Sequence, residues 1–239
     1  MAETKNGGTG WLIDELAHAG PEHLDTNFVQ TYDYKQHFDP TPHLEKLRSL
    51  GLGRTSTLVD FGTGTGALAV AASPLCKRVV AVDVSPPMLN VLASKAAQAG
   101  LRNIEPVRQG LLTYQHHGEP ADFAVTRNVL HHLPDFWKAV ALQRIAAVLK
   151  PGGVLLLRDL VFSFEPRESQ QVLEAWFQAA PAERPEAGYT RAEYETHVRT
   201  EFSTFSWLLE PLLSHAGFEI KQAWYSDSRV FAAYTCVKL

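Results

Sequence analysis

Two acids and a glycine-rich turn are the residues of this chain whose types and spacing could do chemistry. Asp60 lies in an apolar run, and shortly after it glycines alternate with threonines from Gly62 to Gly66, while Asp83 ends the next apolar run. A turn without Cβ atoms lets a ligand approach the backbone amides closely. A carboxylate can accept hydrogen bonds from both hydroxyls of a ribose. The pattern therefore predicts a site for a nucleotide-like cofactor.

The glycine pattern alone does not select the cofactor. Gly62, Gly64 and Ala67 also satisfy the dinucleotide fingerprint G-x-G-x-x-G/A, and Asp83 is suitably spaced to bind a ribose. Asp60 argues against a dinucleotide, because its carboxylate would repel a pyrophosphate and favour a cationic group. The 239 residues also leave little room for the separate substrate domain of many dehydrogenases. An oxidoreductase that uses NAD is therefore a remote alternative.

Alternating strand and helix patterns place these residues in an α/β fold. Helical patterns between most of the strands imply a parallel sheet with helices on both faces. Two further strands near the end are joined by so few residues that they must form an antiparallel hairpin. Apolar, β-branched runs predict the strands at residues 57–61, 78–83, 104–109, 121–126, 154–158, 218–225 and 229–238.

Two segments depart from this alternation. Residues 1–50 are predicted to form a helical N-terminal lid, and residues 160–204 a helical insertion or cap after the fifth strand. Connections of this length are often lids or binding loops. We expect one domain over residues 1–239, with the cofactor-binding core at 51–159 and a C-terminal helix and hairpin at 205–239. Within the two segments, helices are predicted at 11–17, 27–38, 42–50, 168–180 and 191–200, and a proline-rich loop at 181–188.

Composition narrows the class of function. The formal net charge is −4 and no basic stretch alternates with aromatic residues, so we expect no nucleic-acid partner. No apolar run approaches the length of a membrane span, and no signal-peptide core is present, which favours a cytoplasmic protein. Cys76 and Cys236 are far apart and suggest neither a disulfide framework nor a zinc site. The ten histidines show no metal-ligand spacing, so we expect no metal.

Four motifs carry a family resemblance. They are VDFGTGTG at 59–66, VVAVDVSPPML at 79–89, NVLHHLPD at 128–135 and LKPGG at 149–153. In this order and spacing, the chain resembles the class I S-adenosylmethionine-dependent methyltransferases, and more closely the YcgJ/UbiE-like methyltransferase type 11/12 group. The resemblance implies a Rossmann-like, seven-stranded, mostly parallel sheet with an antiparallel last strand. It also implies S-adenosylmethionine as cofactor and S-adenosylhomocysteine as product.

The resemblance implies roles for the residues of the first two motifs. Asp60 would accept hydrogen bonds from the glycine-loop amides or from the methionine amino group of the cofactor. Gly62, Thr63 and Gly64 would line its methionyl and ribose portion. Asp83 would bind both ribose hydroxyls, which suits a carboxylate.

Other cofactor contacts implied by the resemblance are spread along the chain. Val84 and Met88 would flank the adenine. The family often has an acid near Gly110 and Leu111 that binds the adenine amino group, but this chain has none there. The remaining contacts would be Arg127 and Asn128 beside the methionyl part, with Tyr34 and Lys35 reaching in from the lid.

Candidate residues for the chemistry follow the fourth and fifth strands. Methyl transfer requires an in-line approach of the nucleophile and exclusion of water, and a general base contributes about 10²–10⁴-fold when the acceptor must lose a proton. We expect His131 or His132 to face a small-molecule acceptor as this base. The alternative is that the two histidines only pack the loop. Arg158 and Asp159 would orient a polar substrate or pair with neighbouring groups.

Other functions remain open at this point. An enzyme with the same cofactor could be a cyclase or transfer the aminocarboxypropyl arm, and a non-catalytic cofactor-binding subunit would show no turnover. A monomer and a homodimer are both compatible with the sequence.

Overall fold

An eight-stranded sheet forms the centre of the molecule in the computed structural model, which describes residues 10–180, 183 and 188–239. The strand order is β3-β2-β1-β4-β5-β8-β7, and the short β6 pairs with the end of β5. Strands β1 to β5 run parallel, whereas β8 lies antiparallel between β5 and β7. The strands are β1 Thr57–Phe61, β2 Arg78–Asp83, β3 Ile104–Arg108, β4 Ala121–Arg127, β5 Leu149–Phe162, β6 Thr204–Phe205, β7 Phe218–Tyr225 and β8 Phe231–Lys238.

Helices cover the sheet and extend beyond its edge. They are α1 Thr26–Gln36, α2 Thr41–Ser49, α3 Ala67–Ala72, α4 Pro86–Gln98, α5 Asp135–Val148, α6 Ser169–Gln178, α7 Arg191–Thr200 and α8 Ser206–His215. Within the described ranges, none of these helices has the length and apolar character needed to cross a bilayer.

Alternation along the strands creates an apolar core on each face of the sheet. Leu58 packs in a buried cluster with Leu47 and Leu92, whereas its neighbour Val59 packs in another cluster with Ile145. Successive side chains of a strand point to opposite faces, so a strand covered on both sides must be apolar throughout. This explains why β1 is buried along its whole length.

The insertion after β5 packs against the end of that strand. Trp176 of α6 belongs to a third apolar cluster with Leu160 and Phe162 of β5, and its ring stacks on Tyr194 of α7 at 4.2 Å between centroids. The insertion is therefore held above the carboxyl ends of the strands, where parallel sheets bind ligands. The predicted loop at 181–188 falls almost entirely outside the described residues.

The sheet matches the predicted architecture, with three local differences. β5 extends to residues 149–162, beyond the predicted 154–158, because β8 and β6 both pair with it. β8 begins at Phe231 rather than 229, because Arg229 has a φ of 59° and closes the turn. The predicted helix at 11–17 is wrong: the chain forms turns there, and the Asp14 carboxylate accepts hydrogen bonds from the amides of Leu16 and Ala17. Such bonds compete with a helix.

Candidate functional site

The glycine turn after β1 is hydrogen-bonded to β2. The amides of Gly62 and Thr63 donate to the carbonyl of Val82 at 2.8 and 3.0 Å. Gly62 has a φ of 67°, and a Cβ there would lie 2.2 Å from a methyl group of Val129. Only glycine fits this position, because the left-handed backbone and the close neighbour both exclude a side chain. The turn therefore has a fixed shape before any ligand binds.

Two buried carboxylates flank the turn. Asp60 accepts a hydrogen bond from the Thr63 hydroxyl at 2.7 Å, not from the loop amides, and burial raises its pKa to about 7. Asp83 accepts from the amides of Gly64 and Ser85 at 2.8 and 2.9 Å, and burial raises its pKa as well. A cationic group of a ligand would favour the ionised form of Asp60. Each oxygen of Asp83 keeps capacity to accept from a ligand hydroxyl.

A cavity opens at the carboxyl ends of β1, β2 and β4. It encloses about 740 Å³, part of which is open to solvent. Because the strand order is β3-β2-β1-β4, residues after β2 and β3 line one side of the cavity and residues after β4 line the other. The first side is apolar at Val84, Met88 and Leu111 but also carries Asp83, and the second side is polar at Arg127 and Asn128. The lining residues predicted from the sequence are Gly62, Gly64, Asp83, Val84, Met88, Gly110, Leu111, Arg127 and Asn128.

Four predicted cofactor contacts lie elsewhere. Lys35 lies outside this cavity and pairs with Glu193. Asp60 and Thr63 line a separate recess that adjoins the cavity at Gly62 and Gly64. Tyr34 does not reach the cavity: it is 65% exposed, and Tyr32 lines the wall instead. Residues two apart on a helix point about 200° away from each other, so α1 presents only one of these tyrosines to the sheet.

Glu15 is a residue of the cavity that the sequence did not reveal. Its carboxylate accepts a hydrogen bond from the Leu112 amide at 3.0 Å. A Cβ at Gly110 would lie 2.2 Å from the same oxygen, so the glycine makes room for the acid. Burial raises the pKa of Glu15. The chain has no acid at 110–112, yet the N-terminal segment brings one to that place.

A second, larger cavity adjoins the first. It encloses about 1500 Å³, including open solvent, between α1, α6, α7 and the end of β5. Tyr32, Arg127, Asn128 and His132 line both cavities, so the two are continuous at these residues. Aromatic side chains supply much of its wall, namely Phe28, Tyr32, Trp176, Tyr189, Tyr194 and Phe231.

His131 is held between two carboxylates. Its Nδ1 lies 2.5 Å from Asp159 and its Nε2 lies 3.1 Å from Glu201. Burial alone would lower its pKa, but the two acids outweigh burial and raise the pKa to about 9. His131 is therefore charged at neutral pH, with both nitrogens engaged. Asp159 also accepts from the amides of Val129 and Leu130 at 3.0 and 2.7 Å, so it organises the loop after β4.

His132 differs from His131 in its charge and in its hydrogen bonding. Burial, reinforced by the charge of His131, lowers its pKa to about 3, so the ring is neutral. Its Nδ1 is buried without a hydrogen-bond partner among the described residues. Because His132 also lines both cavities, it is the histidine of the pair that can accept a proton from a bound molecule.

The same histidines bear on the expectation of no metal. His131, His132 and Glu201 place ligand atoms within 4.8 Å of one another, a grouping that sequence spacing could not show because Glu201 is distant in the chain. A metal ion needs neutral imidazole nitrogens. His131 would first have to lose the proton that it holds between Asp159 and Glu201.

Two arginines lie side by side at the junction of the cavities. Arg127 on β4 is in register with Arg158 on β5. Arg158 donates to the Asn128 side chain at 2.7 Å and its guanidinium lies 4.6 Å from the centre of the Phe231 ring. Arg127 lies 4.2 Å from the Phe38 ring centre, and its Nε is buried without a partner. In the described parts of the chain neither arginine has a carboxylate ion-pair partner.

Part of the chain is similar to known methyltransferases. Residues 58–153 match the family model described as a methyltransferase domain. Ribosomal protein L11 methyltransferase of Pelotomaculum thermopropionicum is 37% identical over 106 residues, 44% of this chain and 32% of that protein. The uncharacterized methyltransferase YcgJ of Bacillus subtilis is 31% identical over 102 residues, 43% of this chain and 40% of that protein. The chain spans less than half the length of the first curated relatives that it matches.

Solved structures show the same fold. Magnesium protoporphyrin IX methyltransferase of Synechocystis PCC 6803, with bound S-adenosylmethionine, superposes with a TM-score of 0.63 at 14% identity. The match covers 97% of this chain and all of that one. At this identity the likeness concerns the fold alone.

Proposed function

We propose that the protein transfers the methyl group of S-adenosylmethionine to a small-molecule acceptor, because residues 58–153 match the family model of a methyltransferase domain. The observation that carries the proposal is the pair of continuous cavities at the carboxyl ends of the strands. The first cavity would hold the cofactor, with its sulfonium at the junction. The second would hold the acceptor in line with the methyl group.

The two sides of the first cavity suit the two ends of the cofactor. Asp83 would bind the ribose hydroxyls, since each of its oxygens accepts one backbone amide, from Gly64 or Ser85, and keeps a lone pair for a ligand hydroxyl. Val84 and Met88 on the apolar side would contact the adenine, and Glu15 would accept from the adenine amino group. On the polar side, Arg127 would bind the methionyl carboxylate. Asp60 in the adjoining recess would favour the methionyl ammonium.

The chemistry requires alignment, exclusion of water and, for an acceptor with an O–H or N–H group, a base. His132 is the neutral histidine of the pair and lines both cavities, so it would take the acceptor's proton. Its low pKa makes it a weak base, so this proton would leave late, once the forming bond to the methyl carbon has made it acidic. The acceptor atom then bonds to the methyl carbon while the bond to sulfur breaks, and the electron pair stays on sulfur. His131 is already charged and is paired with both Asp159 and Glu201, so it would position the loop that carries His132.

The test uses S-adenosylmethionine with a radiolabelled methyl group and an extract separated into small-molecule and macromolecular fractions. The proposal predicts label in the small-molecule fraction, together with S-adenosylhomocysteine. Label in protein would favour an acceptor such as that of the ribosomal relatives, and methylthioadenosine as product would indicate transfer of another arm. Tight cofactor binding without any product would indicate a non-catalytic subunit.

The role of His132 is tested by His132→Gln. We expect the rate of transfer to fall by about 10²-fold, the lower end for a general base because the ring is weakly basic, with unchanged affinity for S-adenosylhomocysteine. His117→Gln, which alters an exposed histidine of the other His-His pair, is the matched control and should leave the rate unchanged. Equal rates in the two variants would remove His132 from the mechanism.

A further inference from the structure

We propose that the acceptor is an aromatic carboxylate and that Arg158 binds its carboxylate in the second cavity. This inference rests on the proposed function, because it concerns the same acceptor site. It starts from the two arginines at the cavity junction, whose charges the described residues leave without an acidic partner.

The pairing of Arg127 with Arg158 is unfavourable for the protein alone. Like charges at directly opposed positions of neighbouring strands repel each other, and a buried charge without a counter-ion is costly. The partly buried arginines gain some stabilisation from the Phe38 and Phe231 rings. Ring contacts do not neutralise charge, so the cavity keeps an excess of positive charge.

The acids that line the second cavity are already engaged. Glu193 pairs with Lys35, and Glu201 contacts both His131 and His197, the latter at 2.6 Å. Neither acid forms an ion pair with the two arginines. Asp159 and Asp60 attract the arginines only through space, without a direct ion pair, so a counter-ion in direct contact would come from bound molecules.

The positions of the two arginines separate their roles. Arg127 lines both cavities and the recess beside Asp60, which makes it the partner for the carboxylate of the cofactor. Arg158 lines the second cavity but not the first. It also lines a third cavity between α2 and the face of β5 and β8, so the assignment concerns the second cavity: an anion that contacts Arg158 there would belong to the acceptor.

Arg158 is prepared for such a ligand. Its backbone carbonyl accepts from the amide of Asn128 at 2.8 Å, and one guanidinium nitrogen donates to the Asn128 side chain. The stacked Phe231 ring fixes the guanidinium plane. A guanidinium has five N–H donors, so enough of them remain for bidentate hydrogen bonding to a carboxylate. The aromatic wall that includes Trp176 and Tyr194 favours a flat, unsaturated body on the acceptor.

The experiment measures binding of matched probes to the protein saturated with S-adenosylhomocysteine. The probes are benzoate, 4-hydroxybenzoate and 1-naphthoate, each compared with its own neutral carboxamide by isothermal titration. We expect wild-type protein to prefer at least one carboxylate over its amide by tenfold or more. Arg158→Gln should abolish this preference. Arg158→Lys should retain only part of it, because an ammonium group does not form the bidentate hydrogen bonds to a carboxylate that a guanidinium forms.

Controls separate this inference from the proposed function. Arg199→Gln alters an exposed arginine of α7 and should keep the full preference. Retained affinity for S-adenosylhomocysteine shows that each variant is folded. If wild-type protein binds S-adenosylhomocysteine but no carboxylate better than its amide, or if Arg158→Gln keeps the preference, the inference alone is overturned. Failure of S-adenosylhomocysteine to bind would overturn the proposed function as well.

Discussion

Replacing Asp83 by Asn should weaken cofactor binding and stability by separate, calculable amounts. Each Asp83 oxygen accepts a backbone amide, one from Gly64 and one from Ser85. In either orientation the asparagine NH₂ group opposes one of these donors, which should cost about 1–3 kcal/mol of unfolding free energy. The ribose loses one charge-assisted hydrogen bond, worth about 1.5–3 kcal/mol, so the affinity for S-adenosylhomocysteine should fall about 10- to 150-fold.

The assay combines titration calorimetry with urea unfolding, and the chain offers a matched control. Asp122 accepts a hydrogen bond from the Thr57 amide at 2.8 Å and pairs with Lys150, at the opposite end of the parallel strands. Asp122→Asn should lose stability but keep the affinity for S-adenosylhomocysteine. If Asp83→Asn lost stability yet bound the ligand within twofold of wild type, Asp83 would not be the ribose ligand.

Two further predictions concern buried ionisable groups. Glu15→Gln should lower the affinity for S-adenosylhomocysteine about tenfold. The affinity for S-inosylhomocysteine, which has an oxygen in place of the adenine amino group, should change little. An equal loss of affinity for both ligands would exclude contact between Glu15 and that amino group. The pKa of His131 in the folded protein is raised to about 9. The stability that charged His131 contributes to the folded state is therefore complete below about pH 6.5 and is lost as pH rises through 9. The unfolding free energy measured in urea should fall by up to about 3 kcal/mol over that interval, and the fall should be absent in His131→Gln. A fall of the same size in that variant would assign it to another group.

Local patterns predicted the sheet and the cofactor turn. The strand containing Asp60 is apolar on either side of that acid, the strand ending at Asp83 has an apolar run before it, and both lie where the sequence puts them. The hairpin also follows from its short connection. These features depend on residues that are close together in the sequence, so a local sequence pattern is enough to predict them.

Contacts between distant segments could not be predicted in this way. Glu15 reaches Leu112 only because residues 11–20 form turns rather than the expected helix. Glu201 reaches His131 through the folding of the insertion, which no periodicity describes. The choice of Tyr32 over Tyr34 depends on the rotation of α1 about its axis, which the helix pattern alone does not fix.

A crystal structure of the protein with S-adenosylhomocysteine would test the central claim most directly. The account predicts the ribose hydroxyls on Asp83 and the sulfur at the junction of the two cavities, facing His132. The cofactor bound elsewhere, or in the first cavity with its sulfur turned away from the second, would contradict it.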